Sequence, residues 1–110
     1  MRTTLEWHLN TMPEVHGVFH HFTDIESGKR CRDTELSSID TAILLCCMQT
    51  ARAYFADAQI QHLAQQIYER VDWPWMLNNG TAFAMGWHPE TGFINARWNH
   101  YCELMMIYLL

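Results

Sequence analysis

The sequence predicts a mainly α fold built from an inner helix paired with an outer one, with short β-hairpins at one end. Three observations carry this. First, the chain runs apolar from Ala42 to Met48 behind an acidic, hydroxyl-rich lead, Thr34-Glu35-Leu36-Ser37-Ser38-Ile39-Asp40-Thr41. A helix apolar on every side must be covered on every side. Second, Ile60, Leu63, Ala64, Ile67, Tyr68 and Val71 recur at three- and four-residue steps, while Gln59, Gln61, His62, Gln65, Gln66, Glu69 and Arg70 fill the opposite face. That is a one-sided surface helix. Third, the chain holds a weak internal repeat. A hairpin with Glu26-Ser27-Gly28 and then an apolar helix with Glu35 near its start is followed by a hairpin with Glu90-Thr91-Gly92 and an apolar segment with Glu103 near its start. Such helix pairs, repeated, close into a two-layer ring or stack into an open solenoid.

Taken in order, residues 1–14 show no clear period and read as an irregular lead-in, with residues 15–110 as the domain proper. Val15 to Phe22 is rich in β-branched and aromatic residues, and Lys29 to Cys31 reads as its returning strand. A helix follows from about Ser37 to Phe55, because Ser37 and Asp40 fit the capping-box spacing that satisfies exposed backbone N–H groups. Asp57 is the expected N-cap of the next helix, roughly Ala58 to Val71, which makes an αα-hairpin. Pro74 disfavours a helical residue before it, so Asp72-Trp73-Pro74-Trp75 ends that helix, and Asn78-Asn79-Gly80 is a turn. Thr81 to Trp87 and Phe93 to Trp98 form a second hairpin around His88-Pro89-Glu90-Thr91-Gly92. Asn99 to Leu110 reads as another all-round apolar helix with Asn99 as N-cap. It stops without a Gly or Asn cap, which predicts a longer helical repeat truncated at its C-terminus.

Composition narrows the function. Only 17% of residues are charged, while five Trp, four Tyr and five Phe must be hidden, so the chain is expected to associate through exposed apolar helix faces. The net charge of -5 and the scattering of seven Lys and Arg argue against nucleic acid as a partner. No stretch approaches the roughly 18 apolar residues that a membrane-spanning helix needs. Residues 1–10 lack the apolar core of a signal peptide, so a periplasmic or extracellular location of the parent protein would have to be signalled outside this chain. Cys31, Cys46, Cys47 and Cys102 form no C-x-x-C pair and read as small buried hydrophobes or incidental thiols. His16 and His20 share a strand face and His21 points away, with no third ligand at a recognised spacing, so no metal and no cofactor is expected.

Chemistry is sought in the acids. Glycoside hydrolysis needs two carboxyl groups flanking one bond, one protonated and one ionised. Asp40, and more weakly Glu35, sit at a helix N-terminus, whose partial positive charge favours the ionised form. Glu103 lies among Tyr101, Leu104 and Met105, where desolvation would favour the protonated form. The plainer alternative is that Asp40 caps with Ser37 and Glu35 is a solvated loop acid. Trp75, Trp87, Trp98 and Tyr101 offer aromatic faces for sugar rings, and His88 and Arg97 offer hydroxyl partners. The competing role for these aromatics is packing across the hairpin.

Five segments carry a resemblance. They are Phe19-His20-His21-Phe22-Thr23-Asp24-Ile25-Glu26-Ser27-Gly28, Glu35-Leu36-Ser37-Ser38-Ile39-Asp40-Thr41-Ala42, Tyr68-Glu69-Arg70-Val71-Asp72-Trp73-Pro74-Trp75-Met76, Met85-Gly86-Trp87-His88-Pro89-Glu90-Thr91-Gly92-Phe93 and Trp98-Asn99-His100-Tyr101-Cys102-Glu103. In order and spacing they resemble the glycoamylase-like family, whose fold looks similar to that of bacterial endo-β-1,2-glucanases. The resemblance implies part of an (α/α)6 toroid with its glucan cleft at the N-terminal ends of the inner helices. It carries Glu35 and Glu103 over as the carboxylate positions, without assigning acid and base. Two departures stand out. The family usually has Tyr-Asn-Glu where this chain has Tyr101-Cys102-Glu103, and Tyr-His where it has His20-His21. The expectation is a glycoside hydrolase-like fragment acting on glucans, inactive as an isolated piece. The alternatives are a non-catalytic glycan-binding or structural remnant and a helical-repeat interaction module.

Overall fold

The computed structural model describes residues 1–110 and is helix-rich, with short antiparallel strands. Its centre is a pair of helices, α2 (Ser38–Tyr54) and α3 (Ala58–Arg70). Both start on the residues expected. Ser37 caps α2 by accepting the Asp40 N–H at 3.3 Å, and Asp57 caps α3 by accepting the Gln59 and Ile60 N–H groups at 2.8 and 3.1 Å. The apolar face of α3 is buried at Ile60, Leu63, Ala64 and Ile67. It packs on Leu45 and Met48 of α2 and on Leu5 of a further helix, α1 (Arg2–Asn10).

α1 occupies the segment expected to be irregular. Leu5, Leu9 and Met12 follow each other at helical steps, and Leu5 is fully buried against α3. Three apolar residues give a weak period, and it is burial against α3 that makes the segment a helix. The covering expected for α2 also fails on one side. Ile43, Cys47, Thr50 and Tyr54 form an exposed stripe along it, while Ile39, Ala42, Leu45, Met48 and Ala51 are buried. Of the cysteines expected to be small buried hydrophobes or incidental thiols, Cys47 and Cys102 are exposed, and all four are free thiols.

The first hairpin is tighter than expected. β1 (Glu14–Val15) pairs with β2 (Val18–Phe19), turning at His16 and Gly17, both in the left-handed region at φ 55 and 77. Two successive positive φ values match the twist of paired strands. Gly17 is also where the chain touches α3: a Cβ there would lie 2.5 Å from the Arg70 carbonyl oxygen. The return expected at Lys29 to Cys31 survives only as the pair Thr23 and Arg30. Because His16 sits in the turn, it does not share a strand face with His20.

After α3 the chain enters a short helix, α4 (Trp73–Leu77), where the sequence predicts only the end of the preceding helix. Proline suits the first helical turn, where no N–H is needed, and Asp72 caps it by accepting the Trp75 N–H at 3.1 Å. Asn78 and Asn79, both at positive φ, make the expected turn. The second hairpin then forms from β4 (Gly86–His88) and β5 (Gly92–Phe93), and β3 (Leu36–Ser37) joins the other edge of β4 to give the sheet order β3-β4-β5. The last helix, α5, covers only Met105–Tyr108 and has no side-chain cap, so Asn99 does not start a helix. Its Ile107 packs on Ile39 and Ala42 of α2.

Candidate functional site: a carboxylate cleft at the start of α2

The sheet delivers the chain into α2 through β3, and this junction builds the cleft. Leu36 is fully buried between Val18, Met76 and Ala84, so Glu35, the residue before it, points the other way, toward the cleft. Gly86 on β4 allows this, since a Cβ there would meet the Glu35 Cγ at 2.7 Å. The helix start is fixed by two serines. Ser37 donates its hydroxyl to the Asp40 carboxylate. Ser38, wholly buried, donates to the Ala84 carbonyl at 2.8 Å and accepts the Trp98 indole N–H at 2.8 Å. Trp98 is thereby pinned against the N-terminal end of α2.

The resulting cleft has a volume of about 330 Å³, at the small end of the range that ligand pockets occupy. Glu35, Asp40 and Glu103 supply its carboxylates, His21 its imidazole, and Trp98, Met85, Ile39 and Ile43 its apolar wall. His21 Nδ1 lies 3.0 Å from Glu35 Oε1, and its Nε2 lies 3.6 Å from Asp40 Oδ2. For Glu35, partial burial pushes the carboxyl up. Its own backbone N–H, the His21 hydrogen bond and the charges of His21 and His88 outweigh that and hold it below the ordinary carboxylate value. Glu35 is therefore not a free loop acid, and Asp40 both braces the Ser37 cap of α2 and faces His21.

The structure separates the other site residues. Glu103 reaches the cleft but is exposed, on the bends before α5, so the burial expected to keep it protonated is absent. Tyr101, 94% exposed, lies outside the cleft in a shallow groove beyond Trp98, together with His100 and Tyr108. Trp75 stacks on His16 at 4.4 Å and packs against Trp87 and Phe93, so both tryptophans serve the hairpin core. Arg97 donates to the Leu77 and Ala82 carbonyls at 2.7 and 2.6 Å, clasping the turn between them. His88 ends β4 and acts on Glu35 and Glu90 through charge alone. No group of three or more His, Cys, Asp or Glu side chains is arranged to hold a metal ion, and no helix is long and apolar enough to cross a membrane.

Sequence reasoning missed His21 and Ser38. The signal for His21 lies in the His20-His21-Phe22 run, which the sequence offers as a strand, a metal candidate and a departure from the family pattern, with nothing local to pair it with an acid. Ser38 stood next to the recognised cap with nothing to mark its partner, which is 60 residues away. Comparison with known proteins finds no family model, no curated protein and no solved structure that matches the chain.

Proposed function

We propose that the chain carries part of the glucan-binding cleft of a glycoside hydrolase-like domain. The observation that supports this is the gathering of Glu35, Asp40 and Glu103 beside Trp98 at the N-terminal end of α2. The resemblance to glycoamylase-like proteins points to the same end of the inner helices. In this reading α2 and α3 are an inner and outer pair of an (α/α)6 toroid, and the exposed stripe of α2 faces a neighbouring helix. Glu35, held ionised, is the carboxylate that activates water or stabilises positive charge on the sugar. Glu103, on the opposing segment, is the proton donor once bound substrate excludes water from it. Trp98 presents an apolar ring to a sugar face.

The test is calorimetric titration of the chain with β-1,2- and α-linked gluco-oligosaccharides, alongside an assay for released reducing ends. Binding that weakens about tenfold in Trp98→Ala, a loss of about 1.4 kcal/mol, is expected. Binding without turnover is the result expected of an isolated piece, and no heat from any glucan would overturn the proposal.

A further inference from the structure

We propose that His21 is the positioning residue of the cleft, tying the Glu35 carboxylate to the start of α2 and so fixing the direction in which that carboxylate faces the cleft. Its ring is held on three sides. Nδ1 bonds Glu35 Oε1 at 3.0 Å, Nε2 stands 3.6 Å from Asp40 Oδ2, and one face stacks on Phe22 with centroids 4.1 Å apart and planes 18° from parallel. The backbone adds a fourth tie, because the His21 N–H donates to the Glu35 carbonyl at 2.9 Å. An imidazole hydrogen-bonded at Nδ1, stacked on one face and flanked by Asp40 at Nε2 has little freedom to turn.

Glu35 is confined from the other side as well. Its Cγ lies over Gly86, where any larger residue would displace it. Asp40, the far anchor of His21, is itself held by the Ser37 hydroxyl. The chain of contacts therefore runs from the cap of α2 through Asp40 and His21 to Glu35, coupling the helix start to the candidate reactive carboxylate. The charged and titratable groups facing Glu35 are His21 from the β2–β3 connection, His88 from β4, and Arg30 from the same connection as His21. Asp40 from α2 and Glu103 from the segment before α5 share its cleft. Among them only His21 makes a side-chain hydrogen bond to Glu35.

The role of the cleft in hydrolysis rests on the function proposed above; the positioning does not, and its test needs no turnover. The side-chain carboxyl of Glu35 is titrated by carbon NMR in the wild-type chain, His21→Phe, His21→Asn and His88→Gln. His21→Phe keeps a flat ring against Phe22 and removes both nitrogens, whereas His21→Asn restores an amide N–H near the place of Nδ1. The wild-type midpoint is expected below the ordinary 4.5. It should rise in His21→Phe, stay lowered in part in His21→Asn, and move less in His88→Gln than in His21→Phe. Amide spectra of each variant report folding, and His21→Asn carries the test if the phenylalanine variant does not fold. A Glu35 midpoint that does not move in folded His21→Phe, or in folded His21→Asn where that variant stands in, overturns the proposal. If Glu35 responds to His21 while no glucan binds the wild-type chain, the positioning stands and the hydrolase reading falls. Glucan binding with an unresponsive Glu35 gives the reverse.

Discussion

The two hairpin-then-helix units begin from similar sequence patterns and end differently. In the first, Glu35 precedes a capped helix of 17 residues that packs on α3, β2 and α5. In the second, Glu103 precedes a single uncapped helical turn of 4 residues whose main packing is on α2. Both segments are apolar and both carry an acid near the start. The difference lies in what covers them. A first helical turn fixes several dihedrals for one hydrogen bond, so a short helix persists only where tertiary burial stabilises it. Leu45 and Met48 find Leu63, Ala64 and Ile67 across the core, whereas Tyr108 and Leu109 remain 59% and 75% exposed. The lesson extends to function. Glu35 acquires a fixed environment because it enters a capped helix beside His21 and β4, and Glu103 stays solvated because it precedes a short uncapped turn that is buried only at Leu104 and Ile107.

The largest test of this contrast is truncation within each unit. Leu45→Ala should cost about 2–5 kcal/mol, because it opens a cavity in the main core. Leu109→Ala should stay within about 0.5 kcal/mol. Urea unfolding of both variants measures the difference, and comparable losses would end the distinction between a well-covered and a partly covered segment. Next in size is the cap. Ser37→Ala is expected to lose about 1 kcal/mol, and Asn99→Ala less than about 0.5 kcal/mol, since only Ser37 satisfies a helix N–H. An equal cost for Asn99→Ala would reinstate it as a structural cap.

The smallest effect is in pH. His20 is held below its ordinary 6.5 by burial and by the charge of Arg30, so the unfolded chain takes up that proton first and stability falls as pH drops below 6.5. Glu90 is lowered by the Arg30 hydrogen bonds, Asp24 by the Ser27 N–H, and Glu35 as described. For these carboxylates the stabilisation is present above their unfolded values and lost as pH falls through the lower folded ones. None of the lowered groups belongs to the segment that carries Glu103. Thermal melts should therefore show two acid steps, and His20→Gln should remove the upper one. A melting temperature that is flat between about pH 7 and about pH 5 in the wild-type chain would contradict the first step.

Much of the fold was legible because its signals are local. Ser37 and Asp57 lie within three residues of the N–H groups they cap, and the stripe from Ile60 to Ile67 repeats within one helix. The Asn78-Asn79-Gly80 turn and the Pro89-Glu90-Thr91 hairpin loop needed only residues that accept left-handed or tightly turned backbone. α1 and α4 were missed because neither shows a long period, and each owes its place to contacts made elsewhere in the chain. The cleft was legible in its ingredients alone. Glu35, Asp40, Glu103 and Trp98 could be named from the sequence, but so could Trp75, Trp87, Arg97 and Tyr101, and nothing local sorted the two sets. Tertiary structure did the sorting: Ser38 holds Trp98 across 60 positions, and His21 holds Glu35 across 14. Caps and periods come from neighbours along the chain, whereas a cleft depends on which distant surfaces are buried together, and packing decides that.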